Sequence, residues 1–174
     1  DGRRCNARMV LTPPKLALLR ETLLPRAIAF FESALRVRRV VGDLRIGSGE
    51  CGFGAKVPVP AQYLSGGVPD ADVVVFVTSR PIVGSALGSA DTIAFAGHCE
   101  TDQWGRPTAA HFNWAPEHLA PPASAFDEDY LVSVALHELT HALVFSQGLF
   151  EGFLGRTQPA TSFLPTPAGG RARA

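Results

Sequence analysis

The chain has 174 residues, of which 46% are hydrophobic and 18% charged, with 16 basic and 16 acidic side chains. This is enough for one globular domain with a real core. The balanced charge argues against nucleic acid or another polyanion as partner, and no apolar run reaches the roughly 18 residues of a transmembrane helix.

The first residues, Asp1-Gly2-Arg3-Arg4, do not read as a signal peptide, so a secreted form would have lost its leader already. Pro13-Pro14 opens a long helix predicted over residues 15–38. Leu16, Leu19, Leu23, Ile28, Phe31 and Leu35 recur there at helical spacing despite Pro25. Arg36, Arg38 and Arg39 suit the C-terminal end of its dipole and read as a solvated helix end.

Residues 40–46 then read as a strand ending at Gly47-Ser48-Gly49, and residues 51–70, rich in Gly and Pro, as loop. The run Val73-Val74-Val75-Phe76-Val77 predicts a buried central strand over residues 72–78. Residues 92–96 read as a shorter strand. Gly105-Arg106-Pro107 marks a turn that Asp102 and Arg106 stabilise, and residues 108–114 read as a strand at a sheet edge. Residues 116–125 form a Pro/Ala loop.

Residues 130–150 read as a helix with Leu131, Val134, Ala135, Leu139, Ala142 and Leu143 in helical register, preceded by Asp127, Glu128 and Asp129 where acids suit a helix N-terminus. After residue 154 the character changes. Pro159, Pro165, Pro167, Gly169 and Gly170 sit in a stretch without apolar periodicity. The chain therefore divides into a unit over residues 1–154 and an extended or disordered tail over 155–174. It contains no internal repeat and no N-x-S/T site.

The chemistry concentrates in His137-Glu138-Leu139-Thr140-His141, an H-E-x-x-H sequence inside the last helix. Residues four apart share a helix face, so His137 and His141 can reach one metal ion with Glu138 beside them. Catalytic zinc takes three protein ligands and a water, which the ion acidifies and a neighbouring carboxylate can deprotonate. In the metzincin pattern H-E-x-x-H-x-x-G-x-x-H a glycine ends the helix so that a third His reaches the metal. Here Val144 and Gln147 stand at those two places and no His follows His141. Gly148 is the expected helix end, one turn later.

The cysteines number three, Cys5, Cys51 and Cys99. In an oxidising compartment an odd count leaves one without an internal partner; in the cytosol all three would be thiols. Cys51 and Cys99 both sit beside loop signals and can pair. His98, His111 and His118 read as surface or locally bonded histidines rather than as a third ligand.

The chain resembles the leishmanolysin-like metallopeptidases of the metzincin clan. The similarity lies in Cys51-Gly52 with Lys56-Val57-Pro58, in residues 70–81, in His98-Cys99-Glu100-Thr101-Asp102 through His111-Phe112-Asn113, and in residues 137–146 except at Val144. It covers roughly residues 5 to 154. The resemblance implies an α/β (α+β) fold: a twisted mixed sheet with a long N-terminal helix and the H-E-x-x-H helix, forming an incomplete domain. It implies a zinc endopeptidase, secreted or at the cell surface, acting on protein or peptide substrates. His137 and His141 would bind Zn2+, and Glu138 would be the general base. Cys51 would pair with Cys99, and Cys5 with a cysteine upstream. The third ligand and a methionine turn would come from the remaining C-terminal part of the protein or from another chain. Clan members bind substrate backbone along an edge strand, a role the resemblance extends to His111, Phe112 and Asn113; Phe112 and Trp114 read equally well as core. The alternative is a catalytically inactive peptidase-like structural or binding subunit of a larger extracellular or surface assembly.

Overall fold

The computed structural model describes residues 6–52, 56–82 and 91–150. The inferred partner of Cys5 and the tail over 155–174 fall outside them. The fold is mixed α/β. One helical run contains α1 (Pro13–Ala17), a wide π turn (Leu18–Leu23) and α2 (Leu24–Ala34). The wide turn accounts for Pro25. Proline lacks an N–H and crowds the carbonyl one turn back, and the preceding turn opens to an i→i−5 bond, Leu24 N–H to the Leu19 carbonyl. The run ends at Ala34, four residues before the predicted end. Leu35 is extended, and the Arg36 guanidinium donates back to the Ser33 and Leu35 carbonyls.

Residues 40–46 do not form the predicted strand. Gly42 takes φ +82°, and among the described residues the segment has a single sheet-like pairing, the Leu44–Val68 bridge. It is held instead by Arg39, paired with Asp70 and Asp72, and by the Val40 N–H donating to Asp72. The expected loop over 51–70 contains a small antiparallel pair, β1 (Glu50–Cys51) and β2 (Val57–Pro58), and the short helix α3 (Ala61–Ser65).

The main sheet has three described strands, β3 (Val74–Thr78), β4 (Ala94–Thr101) and β5 (Pro107–Trp114), in the order β3-β5-β4. β3 runs parallel to β5, and β4 antiparallel. Two expectations are therefore exchanged. The valine run is at the edge of the described sheet, with Val77 41% exposed, and β5 is central, buried along its whole length. Among the polar side chains in the buried length of β5 are His111 and Asn113. They are buried because each finds partners within the protein. Asn113 accepts from the Arg80 N–H and the Thr78 hydroxyl and donates to the Arg80 carbonyl, and His111 Nε2 lies 2.8 Å from Thr78 Oγ1. His111, Phe112 and Asn113 thus stand in a strand whose backbone is paired on both sides. They cannot take up a substrate strand, which corrects the expectation for them.

The β4–β5 turn is held by the Asp102 carboxylate, which accepts the Trp104 and Arg106 N–H groups and the Arg106 guanidinium. Burial works to raise the Asp102 pKa, but these hydrogen bonds and the Arg106 charge outweigh it and hold it below the usual range.

One sheet face presents Phe112, Trp114 and Ala94 to Leu19, Leu23 and Ala27 of the N-terminal run and to Val132, Ala135 and Leu139 of α4 (Ala125–Leu143). The other face gathers Ile46, Cys51, Val59 and Ala109. Cys51 and Cys99 are disulfide-bonded there with Cα atoms 5.3 Å apart. A bulge at Cys99 breaks the register between His98↔Ala110 and Glu100↔Ala109. The extra residue re-aims the side chains around it. Glu100 then accepts the Gly47 and Ser48 N–H groups and anchors the loop that leads to Cys51.

Candidate metal centre

α4 starts where Ser124 caps it by accepting the Asp127 N–H, with Asp127 and Glu128 in its first turn. It begins five residues before the predicted start at 130 and ends at Leu143 rather than running on to 150. Val144 caps it at φ −137°, ψ −62°, a negative φ in keeping with a β-branched residue. Gly148 does not end the helix; it lies within a separate short helix, α5 (Gln147–Phe150).

Within α4 the i, i+4 spacing brings His137 and His141 together, their Nε2 atoms 3.1 Å apart and their rings near perpendicular at 88°. His141 Nδ1 lies 2.7 Å from the Phe145 carbonyl oxygen. A carbonyl only accepts, so Nδ1 is the donor to it, and in the neutral ring that tautomer leaves the lone pair on Nε2. Tetrahedral zinc with bonds of about 2.0–2.1 Å holds adjacent ligand nitrogens about 3.3 Å apart. The Nε2 pair fits that edge, and neutral imidazoles are the donor type zinc takes. Among the described residues no group of three or more His, Cys, Asp or Glu side chains is placed to hold a metal ion. His111 lies within the central strand, His98 on β4, and His118 in the 3-10 turn Pro116–His118.

Glu138 is half-buried on the side of α4 that meets β4, where its carboxylate accepts the Ala96 N–H. Burial raises its pKa above the usual range; the charges of His137 and His141 and the Ala96 amide oppose that rise. A raised carboxylate pKa suits a group that must take and return a proton near neutral pH. Beside it opens a cleft of about 470 Å³ between Thr92, Ile93 and Ala94 at the start of β4 and Ser133, Val134, His137 and Glu138 of α4. Among the described residues, β4 is paired on one side only.

Two groups at this site, the Ala96 N–H and the Phe145 carbonyl, belong to the backbone. Backbone groups have no residue signature, so the sequence pattern does not point to them.

Comparison with known proteins bears on the same segment. The leishmanolysin family model matches residues 2–159. A leishmanolysin of Leishmania chagasi is 30% identical over 152 residues, covering 85% of this chain and 23% of its own length. A leishmanolysin-like peptidase of Drosophila pseudoobscura pseudoobscura is 28% identical over 185 residues, 82% of this chain and 26% of its own. A leishmanolysin homolog of Crithidia fasciculata is 27% identical over 151 residues, with 84% and 21% covered. The chain spans about a quarter of the length of these curated relatives. With a family match over most of its residues and an H-E-x-x-H helix facing an edge strand, the chain belongs to the leishmanolysin family of metallopeptidases.

Proposed function

We propose that the chain carries the H-E-x-x-H part of a zinc endopeptidase centre, with His137 and His141 as two metal ligands and Glu138 as general base. The observation that carries this reading is the 3.1 Å approach of the two Nε2 atoms beside a half-buried carboxylate of raised pKa. Zinc, when bound, acidifies a water and polarises the scissile carbonyl. Glu138 takes the water's proton on its carboxylate and later delivers it to the leaving amine. The Ala96 N–H keeps the carboxylate turned toward β4 and leaves its remaining lone pairs for that proton. The edge of β4 left unpaired among the described residues is the one on which a peptide backbone would lie, with one side chain entering the cleft at Ser133 and Val134. A third ligand would come from outside the described residues, from the rest of the protein or from another chain.

The Cys51–Cys99 disulfide supports an oxidising, extracytosolic compartment. No helix among the described residues is long and apolar enough to cross a membrane.

The test is peptide-library cleavage by the full-length protein, as isolated, with chelator, and after zinc is returned. Cleavage lost on chelation and regained with zinc is expected. Zinc bound without chelator-sensitive cleavage of any peptide would replace this reading with that of a non-catalytic binding subunit.

A further inference from the structure

We propose that the turn after α4, over residues 144–146, and His98 of β4 behind it form a positioning element that fixes the tautomer of His141. The proposal rests on the metal-centre reading above.

The turn is built without the glycine of the metzincin pattern. The Thr140 carbonyl accepts two donors, the Val144 N–H at 2.9 Å and the Phe145 N–H at 2.8 Å. The second is an i→i−5 bond, and it curls the chain back over the last turn of the helix. The Phe145 carbonyl is thereby brought to 2.7 Å from His141 Nδ1. Ligand histidines are oriented by the partner of the ring nitrogen that does not touch the metal. Here that partner is a main-chain oxygen whose place depends on the path of the turn.

The other side of the turn rests on β4. Ser146 Oγ lies 3.4 Å from His98 Nδ1. A Cβ added to Gly148 would stand 3.4 Å from His98 Cε1, in ordinary van der Waals contact, so the imidazole lies next to that position. The Leu149 N–H donates to the Ser146 carbonyl, and the Leu149 side chain is buried. One strand therefore serves both halves of the centre. Its Ala96 amide holds Glu138, and its His98 ring backs the turn that holds His141.

Val144 acquires a positive role in this arrangement. At φ −137° nothing requires glycine, and valine restricts the unbound turn more than glycine does. Replacing Val144 by the family's glycine should loosen the turn.

The experiment uses the full-length protein labelled with 15N-histidine. In the metal-free wild type, the ring nitrogen shifts of His141 should report the Nδ1–H tautomer; an Nε2–H tautomer would overturn the proposal. Cobalt(II) titration should then show about twofold to fivefold weaker binding for Val144→Gly, the fold-change that corresponds to the roughly 0.5–1 kcal/mol of added backbone freedom. It should show weaker binding for His98→Ala as well, below the roughly tenfold effect of losing a direct partner of a ligand histidine, with a mixed His141 tautomer. Equal or tighter cobalt binding by Val144→Gly, or an unmixed Nδ1–H tautomer in His98→Ala, would sink the positioning role. If His98→Ala does not fold, the wild-type tautomer and Val144→Gly decide. A wild type that binds no cobalt while showing the Nδ1–H tautomer would refute the metal reading rather than the positioning one.

Discussion

Gly52 lies against His111: a Cβ at position 52 would come within 2.7 Å of His111 Nδ1 and 3.1 Å of its Cγ. Gly52 also holds φ +122°, a conformation open to glycine almost alone. The imidazole cannot give way easily, since Thr78 holds its Nε2 and the Phe95 ring stands edge-on at 5.7 Å. Gly52→Ala should therefore destabilise the protein by about 1–3 kcal/mol from backbone strain alone, and further through the clash. Denaturant midpoints of the two proteins measure this. An unchanged midpoint would show that the Cys51–Gly52 turn is not seated on His111 as described.

The same imidazole makes stability depend on pH. Its environment, burial first and the Arg80 charge second, lowers the His111 pKa, and burial lowers that of His98. With a depressed native pKa, the unfolded chain binds the proton first, below about pH 6.5. Stability is then full above that pH and falls as pH drops toward the native value, by up to about 1.4 kcal/mol per pH unit for each such group. His111→Gln should flatten the slope below about pH 6.5. A slope unchanged by the substitution would mean that His111 is as easily protonated in the fold as out of it.

The Cys51–Cys99 bond closes a loop of sequence separation 48. Chain-entropy arithmetic for that length gives about 4 kcal/mol of stabilisation. The Cys51→Ala/Cys99→Ala variant should lose a large part of it, and wild type in strong reductant should melt close to the variant. A variant as stable as the oxidised wild type would show that the bond adds nothing to what Glu100 and the second core already hold.

The parts of the fold legible in the sequence are those whose signal is local. The H-E-x-x-H helix follows from periodicity, and the i, i+4 meeting of His137 and His141 follows from helix geometry alone. Strand order was not legible, because it depends on what satisfies polar groups at a distance. Nothing beside Asn113 in the sequence points to its partners, the Arg80 backbone and Thr78, 33 and 35 residues away. The helix end was misplaced for a similar reason. Gly148 is the local stop signal, but the Thr140 carbonyl takes both the Val144 and Phe145 N–H groups and turns the chain earlier. The bulge at Cys99 follows Gly97, which reads from the sequence as a loop signal and does not announce an extra residue within a strand.

Glu138→Gln is the sharpest test of the proposed chemistry. The substitution keeps the side-chain volume and an oxygen for the Ala96 N–H, so the link between α4 and β4 should survive. It removes the proton-accepting carboxylate, and general-base catalysis of this kind contributes about 10²–10⁴ in rate. In the full-length protein, kcat for peptide cleavage should fall by that factor. Zinc content should stay at the wild-type level, because Glu138 is not a ligand in this reading. His137→Ala should behave differently, losing metal and cleavage together. The paired measurement is zinc by elemental analysis and cleavage of one peptide, on the same preparations of wild type and both variants. Equal cleavage by wild type and Glu138→Gln would show that the base is another group. Loss of zinc from Glu138→Gln would show that the carboxylate helps to hold the ion.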